Sequence, residues 1–187
     1  MDVKEAIEKR RAYRALEPVK INDDLVKDLA ECASLAPSCF NNQPWRYVFV
    51  YEPEQLKRMH SALSQGNEWA RQASLMVVVF SKKEDDCVIK EREYFLFDTG
   101  MATAHMILRA TELGLVAHPI AGFSPKKTRE ILGIPDEMMV ITILIVGKHS
   151  GEMTPEMAQH QIDAEKNRPE RKGLKEFAHM NRYNKPE

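Results

Sequence analysis

The stretch YFLFDTGMATAHMILRATELGL, residues 94–115, decides the fold prediction because it carries more apolar side chains than one helix face can hold. Drawn as an α-helix, these side chains occupy most of the circumference rather than a single stripe. A helix of this kind must be covered on almost every side. In a chain of 187 residues this is easier if a second subunit covers one side, so we expect a homodimer built on this long central helix.

Three short stretches around this helix have the composition of β-strands, because aromatic and β-branched residues are concentrated there between polar or turn residues. They are residues 45–51, 75–80 and 140–146. Helical patterns alternate with them at residues 53–64, 91–114 and 124–132. This alternation predicts an α+β fold in which helices flank a central mixed sheet.

The two ends of the chain differ in character. Residues 3–14 predict a short first helix that ends in a basic cluster, and Asn22 can cap a second helix that Pro37 stops. Residues 148–187 are polar and predict an extended C-terminal arm with short helices. The length of the chain fits one domain, residues 1–187.

Composition argues against several classes of protein. The 27 basic residues are balanced by 28 acidic ones, so nucleic-acid binding is not expected. The longest apolar stretch, residues 138–146, is far shorter than the ~20 residues that a membrane-spanning helix needs. The cysteines Cys32, Cys39 and Cys87 form no CxxC pair and leave an odd one over. We therefore expect a cytoplasmic protein in a reducing compartment, with neither a disulfide framework nor a metal site.

The first candidate motif is RRAYR, residues 10–14. On a helix, Arg10 and Arg14 are four residues apart and Arg11 and Arg14 three apart, so their side chains would converge. Guanidinium groups can bind phosphate oxygens through two hydrogen bonds, and the motif could therefore grip a phosphate. The alternative is a solvated helix end whose cations complement the C-terminal dipole.

The second candidate motif is APSCFNNQPW, residues 36–45, where two prolines bracket small and amide residues before a strand. Such a loop is stiff and rich in hydrogen-bonding groups, so it could bind a flat heterocycle at low entropic cost. The alternative is an ordinary helix-to-strand turn in which Asn41 and Asn42 bond their own backbone.

The two motifs together resemble the opening arginine motif and the PSxxNxQPW loop of the nitroreductase family. Three further stretches are similar to that family in the same order. They are GNEWARQASLMVVVF at residues 66–80, FDTGMATAHMILRATELGLVAHPIAGF at 97–123 and RPERKGLKEFAHMNRY at 168–183. The resemblance covers nearly the whole chain and implies an α+β fold and an obligate dimer with two FMN sites at the subunit interface.

The resemblance also implies which residues bind FMN. One subunit would hold the phosphate and ribityl end with Arg10, Arg11, Ala12 and Arg14, and the other would supply Pro37, Ser38, Cys39 and Asn41, with Gln43 supporting that loop. Pro119, Ile120 and Gly122 match the turn beside the central ring, Asn67 would touch the pyrimidine edge, and Arg171 and Lys172 would return to the phosphate. No side chain is expected to act as a catalytic group, because flavin N5 carries the chemistry.

The implied function is transfer of reducing equivalents from NADH or NADPH to a small oxidised acceptor by a ping-pong mechanism. The acceptor would be a nitroaromatic compound, a quinone, an enone or a flavin. Two alternatives stay open: a non-catalytic FMN-binding or storage protein, and an enzyme of the same fold with different flavin chemistry, such as dehalogenation or flavin breakdown. The chain departs from common family residues at Ala12, Cys39 and Ala121, which replace two serines and a glutamate.

Two further residue types have structural interpretations. The six histidines form no HxxxH pattern, so each is expected to be a satisfied surface or core residue. Asp98 lies inside the apolar central helix, where a buried carboxylate needs a partner. We expect an ion pair or a helix–helix hydrogen bond there rather than general acid catalysis.

Overall fold

The computed structural model describes residues 1–183 and contains helices on both sides of one main β-sheet. The helices are α1 (Val3–Lys9), α2 (Asp23–Ser34), α3 (Pro53–Met59), α4 (Phe95–Glu112), α5 (Pro125–Leu132), α6 (Gln159–Lys166) and α7 (Leu174–Phe177). The strands are β1 (Leu16–Glu17), β2 (Arg46–Val50), β3 (Leu75–Ser81), β4 (Val88–Ile89), β5 (Arg92–Glu93), β6 (Leu115–Ile120) and β7 (Met139–His149). The α+β class is confirmed.

The main sheet is organised around β7, which pairs with β1, β3 and β6, while β2 pairs with the other edge of β3. Every one of these pairings is antiparallel, so the mixture of parallel and antiparallel strands expected from the sequence is not found in the described residues. The small hairpin of β4 and β5 forms a separate sheet. The direction of the strands follows from their long-range pairing, which local composition does not encode.

The two faces of the sheet bury two hydrophobic clusters, because neighbouring residues of a strand point to opposite sides. Along β3, Leu75 and Val77 pack towards α2 and α4, whereas Met76 and Val78 pack on the other side with Trp69. All seven residues of β3 are buried, which explains its almost continuous apolar sequence.

The central helix α4 is buried on one side only within a single chain. Ala102, Met106 and Ala110 face the sheet and are fully buried, whereas Leu96 and Phe97 are exposed to solvent at 45% and 62%. A groove of about 410 Å³ runs between α1, α2 and α4, and its apolar lining includes Val3, Leu35 and Leu108. The side of α4 that the sequence pattern assigns to burial is therefore left uncovered by its own chain.

Several local signals are confirmed and others are corrected. Asn22 caps α2 by accepting a hydrogen bond from the Leu25 N–H, and Ser124 caps α5 in the same way. The first helix ends at Lys9, so the prediction that it extends to residue 14 is wrong. Strand β6 was not predicted at all. No helix among residues 1–183 has the length and apolar character required to cross a membrane.

Candidate functional site

Five arginines line one cavity of about 150 Å³, together with Ala12. They are Arg10, Arg11, Arg14, Arg168 and Arg171. Because α1 has already ended, the first three do not share a helix face as the sequence predicted. They converge because the extended segment after α1 meets the segment after α6. Lys172 is exposed and does not line this cavity.

Two of these arginines hold the C-terminal arm in place. Arg11 donates from Nη2 to the carbonyl oxygens of Ala164 and Glu165 at 2.6 and 3.1 Å, and these carbonyls belong to the last turn of α6. Its guanidinium also lies 4.5 Å from the centre of the Tyr13 ring. Arg168 donates to the carbonyl oxygens of Glu8 and Arg10. The cavity is thus built by cations that tie two distant segments together.

The other three guanidinium groups have fewer internal partners. Within residues 1–183, Arg10 and Arg171 make no ion pair with a carboxylate. Burial lowers the pKa of Arg10, and the neighbouring positive charges of Arg168 and Arg171 lower it further. Burial also lowers the pKa of Arg14, although the Glu165 carboxylate partly offsets this effect. Crowded cations that disfavour one another form a site that an anion would stabilise.

A chain of contacts leads from Arg14 to the Gly122 turn. The Arg14 guanidinium lies 5.7 Å from the Trp69 ring centre, and Trp69 donates from Nε1 to Asn67 Oδ1 at 3.3 Å. Asn67 Nδ2 in turn donates to the Gly122 carbonyl at 3.0 Å. A Cβ atom at position 122 would overlap the Asn67 amide, so a larger residue there would displace this amide from the Gly122 carbonyl. Arg14, Asn67 and Gly122 are therefore linked by a chain of contacts through Trp69, which is itself fully buried.

Strand β6 leads into that turn and presents the other two residues predicted there. Pro119 is exposed and Ile120 is buried, and the Ile120 carbonyl accepts a hydrogen bond from Thr142 Oγ1 at 2.9 Å. The turn is thereby anchored to β7. Its backbone position is set by the sheet rather than by a mobile loop.

The loop at residues 37–43 has an unusual backbone. Phe40, Asn41 and Gln43 all adopt positive φ angles, of 48°, 58° and 51°. Residues other than glycine rarely adopt this conformation. Ser38 Oγ accepts the Gln43 N–H at 3.0 Å, and Gln43 Nε2 donates to the Asn41 carbonyl at 3.2 Å. Gln43 thus supports the loop from within, and Asn41 is left exposed.

Asp98 at the start of α4 stabilises this loop. Its Oδ2 accepts the Cys39 N–H at 2.6 Å, and the carboxylate is 1% exposed. Burial raises the pKa of Asp98, and the neighbouring Asp86 carboxylate raises it further. The expected structural role is present, but the donor is a loop backbone amide instead of another helix or a cation.

Cys39 and Cys87 form a disulfide bond, which corrects the expectation of three free cysteines. The bond joins the loop to the segment that carries the β4–β5 hairpin. Asn42 Nδ2 adds hydrogen bonds to Asp86 Oδ1 and Cys87 Sγ at 3.3 and 3.4 Å, so the Asn42 side chain does not bond its own backbone as in an ordinary turn.

The two sulfur atoms and a carboxylate oxygen of Asp86 lie within 4.8 Å of one another. This group could ligate a metal ion if both thiols were free. The cysteine pattern therefore no longer argues for a reducing compartment.

Residues 7–77 and 63–148 match the model of the Nitroreductase family. The chain belongs to the nitroreductase family. A protein of Archaeoglobus fulgidus with the provisional name NADH dehydrogenase/NAD(P)H nitroreductase is 30% identical over 145 residues, which cover 74% of this chain and 80% of that protein. A nitroreductase family protein from Clostridium difficile superimposes with a TM-score of 0.79 at 25% identity, covering 98% of this chain and 100% of that one. A structure described as an oxidoreductase containing FMN superimposes with a TM-score of 0.82 at 24% identity, covering 100% and 95%.

In this nitroreductase-family chain the two groups of candidate residues lie near opposite ends of α4. The loop contacts Asp98, whereas Arg11 shares a cleft with Thr111, in the last turn of the helix, and with Gly114 just beyond its end. A helix rises 1.5 Å per residue, so residues 98 and 111 are about 20 Å apart along its axis. Within one chain the arginines and the loop therefore lie in different parts of the structure, and contacts through Trp69 link Arg14 to Asn67 and Gly122.

Sequence reasoning missed several residues that shape this nitroreductase-family site. Arg168 lies in the same RPERK stretch as Arg171, so this basic motif could have identified Arg168 as a further cation of the cavity. Trp69 and Glu165 gave no comparable signal, because their contacts with Arg14 link residues 55 or more positions apart in the chain. Glu165 Oε1 accepts the Arg14 N–H at 2.7 Å and thereby fixes the backbone of the arginine segment.

Proposed function

We propose that this chain is an FMN-dependent oxidoreductase that transfers reducing equivalents from NADH or NADPH to a small oxidised acceptor by a ping-pong mechanism. Membership of the nitroreductase family and the provisional nicotinamide-linked name of the Archaeoglobus fulgidus relative support this reaction class. A structural neighbour described as containing FMN supports the cofactor. Nitroaromatic compounds, quinones, enones and flavins are the proposed acceptors.

The observation that carries the proposal is the arginine cavity. Arg10, Arg14 and Arg171 present positive charge to it, and Arg10 and Arg171 have no carboxylate partner in residues 1–183. A phosphate monoester carries a charge of about −1.5 to −2 near pH 7 and accepts several charge-assisted hydrogen bonds. The terminal phosphate of FMN has the size and charge that these residues would stabilise. Lys172 would reach such a ligand only by a rearrangement of its exposed side chain.

The surface between Arg14 and Gly122 fits the rest of such a ligand. Trp69, which is fully buried, and Asn67 connect the two ends, and the Asn67 amide occupies the space beside Gly122 that a side chain would take. Bound FMN would supply the two-electron chemistry at its N5 position. The protein's contribution is to hold the phosphate, orient the ring against the β6 turn and present positive charge at the phosphate end.

A second copy of the chain would complete the site. The loop at residues 37–43 contacts Asp98, which lies ~20 Å along α4 from Thr111 beside Arg11, so we infer that it does not reach a ligand in the arginine cavity of its own chain. A homodimer that covers the groove around Leu108 could bring the loop of one protomer to the arginines of its partner. In this proposal each chain, residues 1–187, is a single domain and the FMN sites lie at the interface.

The direct test is the absorption spectrum of the purified protein, followed by anaerobic titration with NADH and with NADPH. We expect a yellow protein that loses its flavin absorbance on addition of one of the two and regains it on addition of a quinone or a nitroaromatic compound. A yellow protein that dithionite bleaches but both nicotinamides leave unchanged would instead support an FMN-storage protein. A protein that neither contains nor binds FMN would overturn the proposal.

A matched pair of glycine variants links the result to the site. Gly122→Ala should lose FMN because the added Cβ displaces the Asn67 amide, whereas Gly151→Ala should retain it because nothing lies within 4 Å of the new atom. Equal flavin content in the two purified variants would show that the Gly122 turn is not part of the FMN site.

A further inference from the structure

We propose that Cys39 and Cys87 form a reversible thiol–disulfide modification site that controls the order of the loop at residues 37–43 and, through it, the retention of FMN. The effect on FMN rests on the proposed function, whereas the effect on the loop does not. The oxidant is a low-molecular-weight disulfide. In the exchange the two cysteine thiols lose two electrons and two protons and form one S–S bond, and the small disulfide is reduced to two thiols.

The first argument is the position of the bond. It joins residues 48 positions apart and connects the loop to the segment of residues 82–94, which is exposed over much of its length. Both cysteines are partly buried rather than enclosed, so a small thiol or disulfide can approach them. A disulfide in the core of the sheet would be protected from such exchange, and this one lies outside both hydrophobic clusters.

The second argument is the strained backbone next to Cys39. Three residues with side chains hold positive φ angles within five positions of the chain, and such conformations persist only where the surroundings impose them. The covalent bond is the strongest of these constraints. The others are the Asp98 hydrogen bond to the Cys39 N–H and the Ser38 hydrogen bond to the Gln43 N–H. When the S–S bond opens, the loop gains freedom that the remaining hydrogen bonds oppose only weakly.

The third argument is that few other contacts hold the two segments together. Among the described residues, Asn42 donates to Asp86 and Cys87, and Arg46 lies 3.5 Å from Asp85 at a partly exposed position. Exposed ion pairs of this kind contribute little. The Asp86 carboxylate lies beside both sulfur atoms and would repel a thiolate, which favours the neutral disulfide or the protonated thiols.

The test compares the wild-type holoprotein after equilibration with oxidised glutathione and after reduction with dithiothreitol. Alkylation followed by mass spectrometry should show one labelled cysteine, Cys32, in the oxidised protein and three in the reduced one. Amide hydrogen exchange at residues 38–46 should be faster in the reduced protein, by about tenfold or more. The FMN dissociation constant, measured by flavin fluorescence, should increase by about fivefold or more on reduction.

Two variants on the hairpin segment serve as the matched pair. Cys87→Ser removes the bond without changing the amino-acid sequence of the loop and should behave as the reduced protein under both conditions. Val88→Ser changes an exposed neighbour and should keep the full redox response. If Cys87→Ser still responds to the oxidant, or if loop exchange is the same in both states of the wild type, the proposal is wrong.

Three further outcomes decide separately on this inference and on the proposed function. A stoichiometric zinc ion in the reduced protein that blocks oxidation would show that the cluster is a metal site and would overturn the switch. Absence of FMN binding in both redox states would contradict the proposed function, and the hydrogen-exchange comparison would then decide the loop switch alone. Equal FMN affinity in the two states, with FMN bound, would overturn the link to cofactor retention.

Discussion

Arg171 offers the cleanest test of the phosphate site at the level of a single residue. It is exposed, lines the arginine cavity and makes no hydrogen bond or ion pair within residues 1–183, so its removal should not disturb the fold. A charge-assisted contact to a phosphate contributes about 1.5–3 kcal/mol. Arg171→Gln should therefore weaken FMN binding by about tenfold or more, measured by fluorescence titration, with an unchanged midpoint of thermal unfolding.

Arg129→Gln is the control for this experiment, because Arg129 lies on α5 and pairs only with the fully exposed side chain of Asp136. Its FMN affinity should equal that of the wild type. Equal affinities for all three proteins would exclude Arg171 from the site. Arg14 is a less clean target, because it also lies over Trp69 and its loss would change packing as well as charge.

His118 makes the stability of the protein depend on pH. Its ring is buried beside Trp69, and Nδ1 lies 3.0 Å from the Tyr13 carbonyl oxygen. Burial, with a smaller effect from the positive charges of Arg14 and Arg10, lowers the pKa of His118 from 6.5 to about 4. Between these values the unfolded chain binds a proton that the folded chain does not. The free energy of unfolding should therefore fall as the pH decreases from 6.5 to 4, by at most about 3 kcal/mol.

Urea unfolding at pH 7, 5.5 and 4.5 measures this dependence. The His118→Gln variant keeps a polar side chain near the Tyr13 carbonyl but cannot titrate, so its stability should fall less over the same interval. If the free energy of unfolding of the variant falls with pH as much as that of the wild type, His118 is not the group responsible.

At the level of elements, the contact between α4 and the loop depends on one buried carboxylate. Asp98→Ala should lower the free energy of unfolding by about 1–3 kcal/mol, because the Cys39 N–H would lose its acceptor. Asp98→Asn should cost much less, since its amide oxygen can accept the same bond and the repulsion by Asp86 disappears. Denaturant unfolding of both variants checks this, and equal losses would show that the charge of Asp98 matters more than the hydrogen bond.

The boundaries of elements show where local sequence signals suffice. Ser124 and Pro125 begin α5 as predicted, and β3 coincides almost fully with the predicted apolar run. Strand β6 was missed because it follows α4 after a single turn at Gly114, and its Pro119 disfavours a strand in local propensity. Its pairing with β7 overrides that preference.

At the scale of the whole molecule, the uncovered groove around Leu108 predicts the assembly. Leu108→Glu should abolish the homodimer and the bound flavin together, because a charge would be buried at the centre of the interface. Ile107, its neighbour on α4, packs against the core of its own chain, so a charged substitution there would test folding rather than assembly. Light scattering with a flavin absorbance trace is the measurement.

Lys20→Glu is the control, because this exposed loop residue does not line the groove. It should remain a dimer with full flavin content. A wild-type protein that runs as a monomer with full flavin would contradict the shared site, and a Leu108→Glu dimer would place the interface elsewhere.

The sequence by itself determined most of the helices, the strands β2, β3 and β7 and the family of this protein, because helix caps, apolar periodicity and the arginine and proline motifs are local features that need no knowledge of the rest of the chain. Only the tertiary structure decided the antiparallel order of the strands, the meeting of Arg168 with Arg10, the hydrogen bond from Cys39 to Asp98 and the Cys39–Cys87 bond. Apart from the strand pairing, these contacts join residues 48 to 158 positions apart. Their formation depends on how the whole chain packs, and local composition carries no record of it.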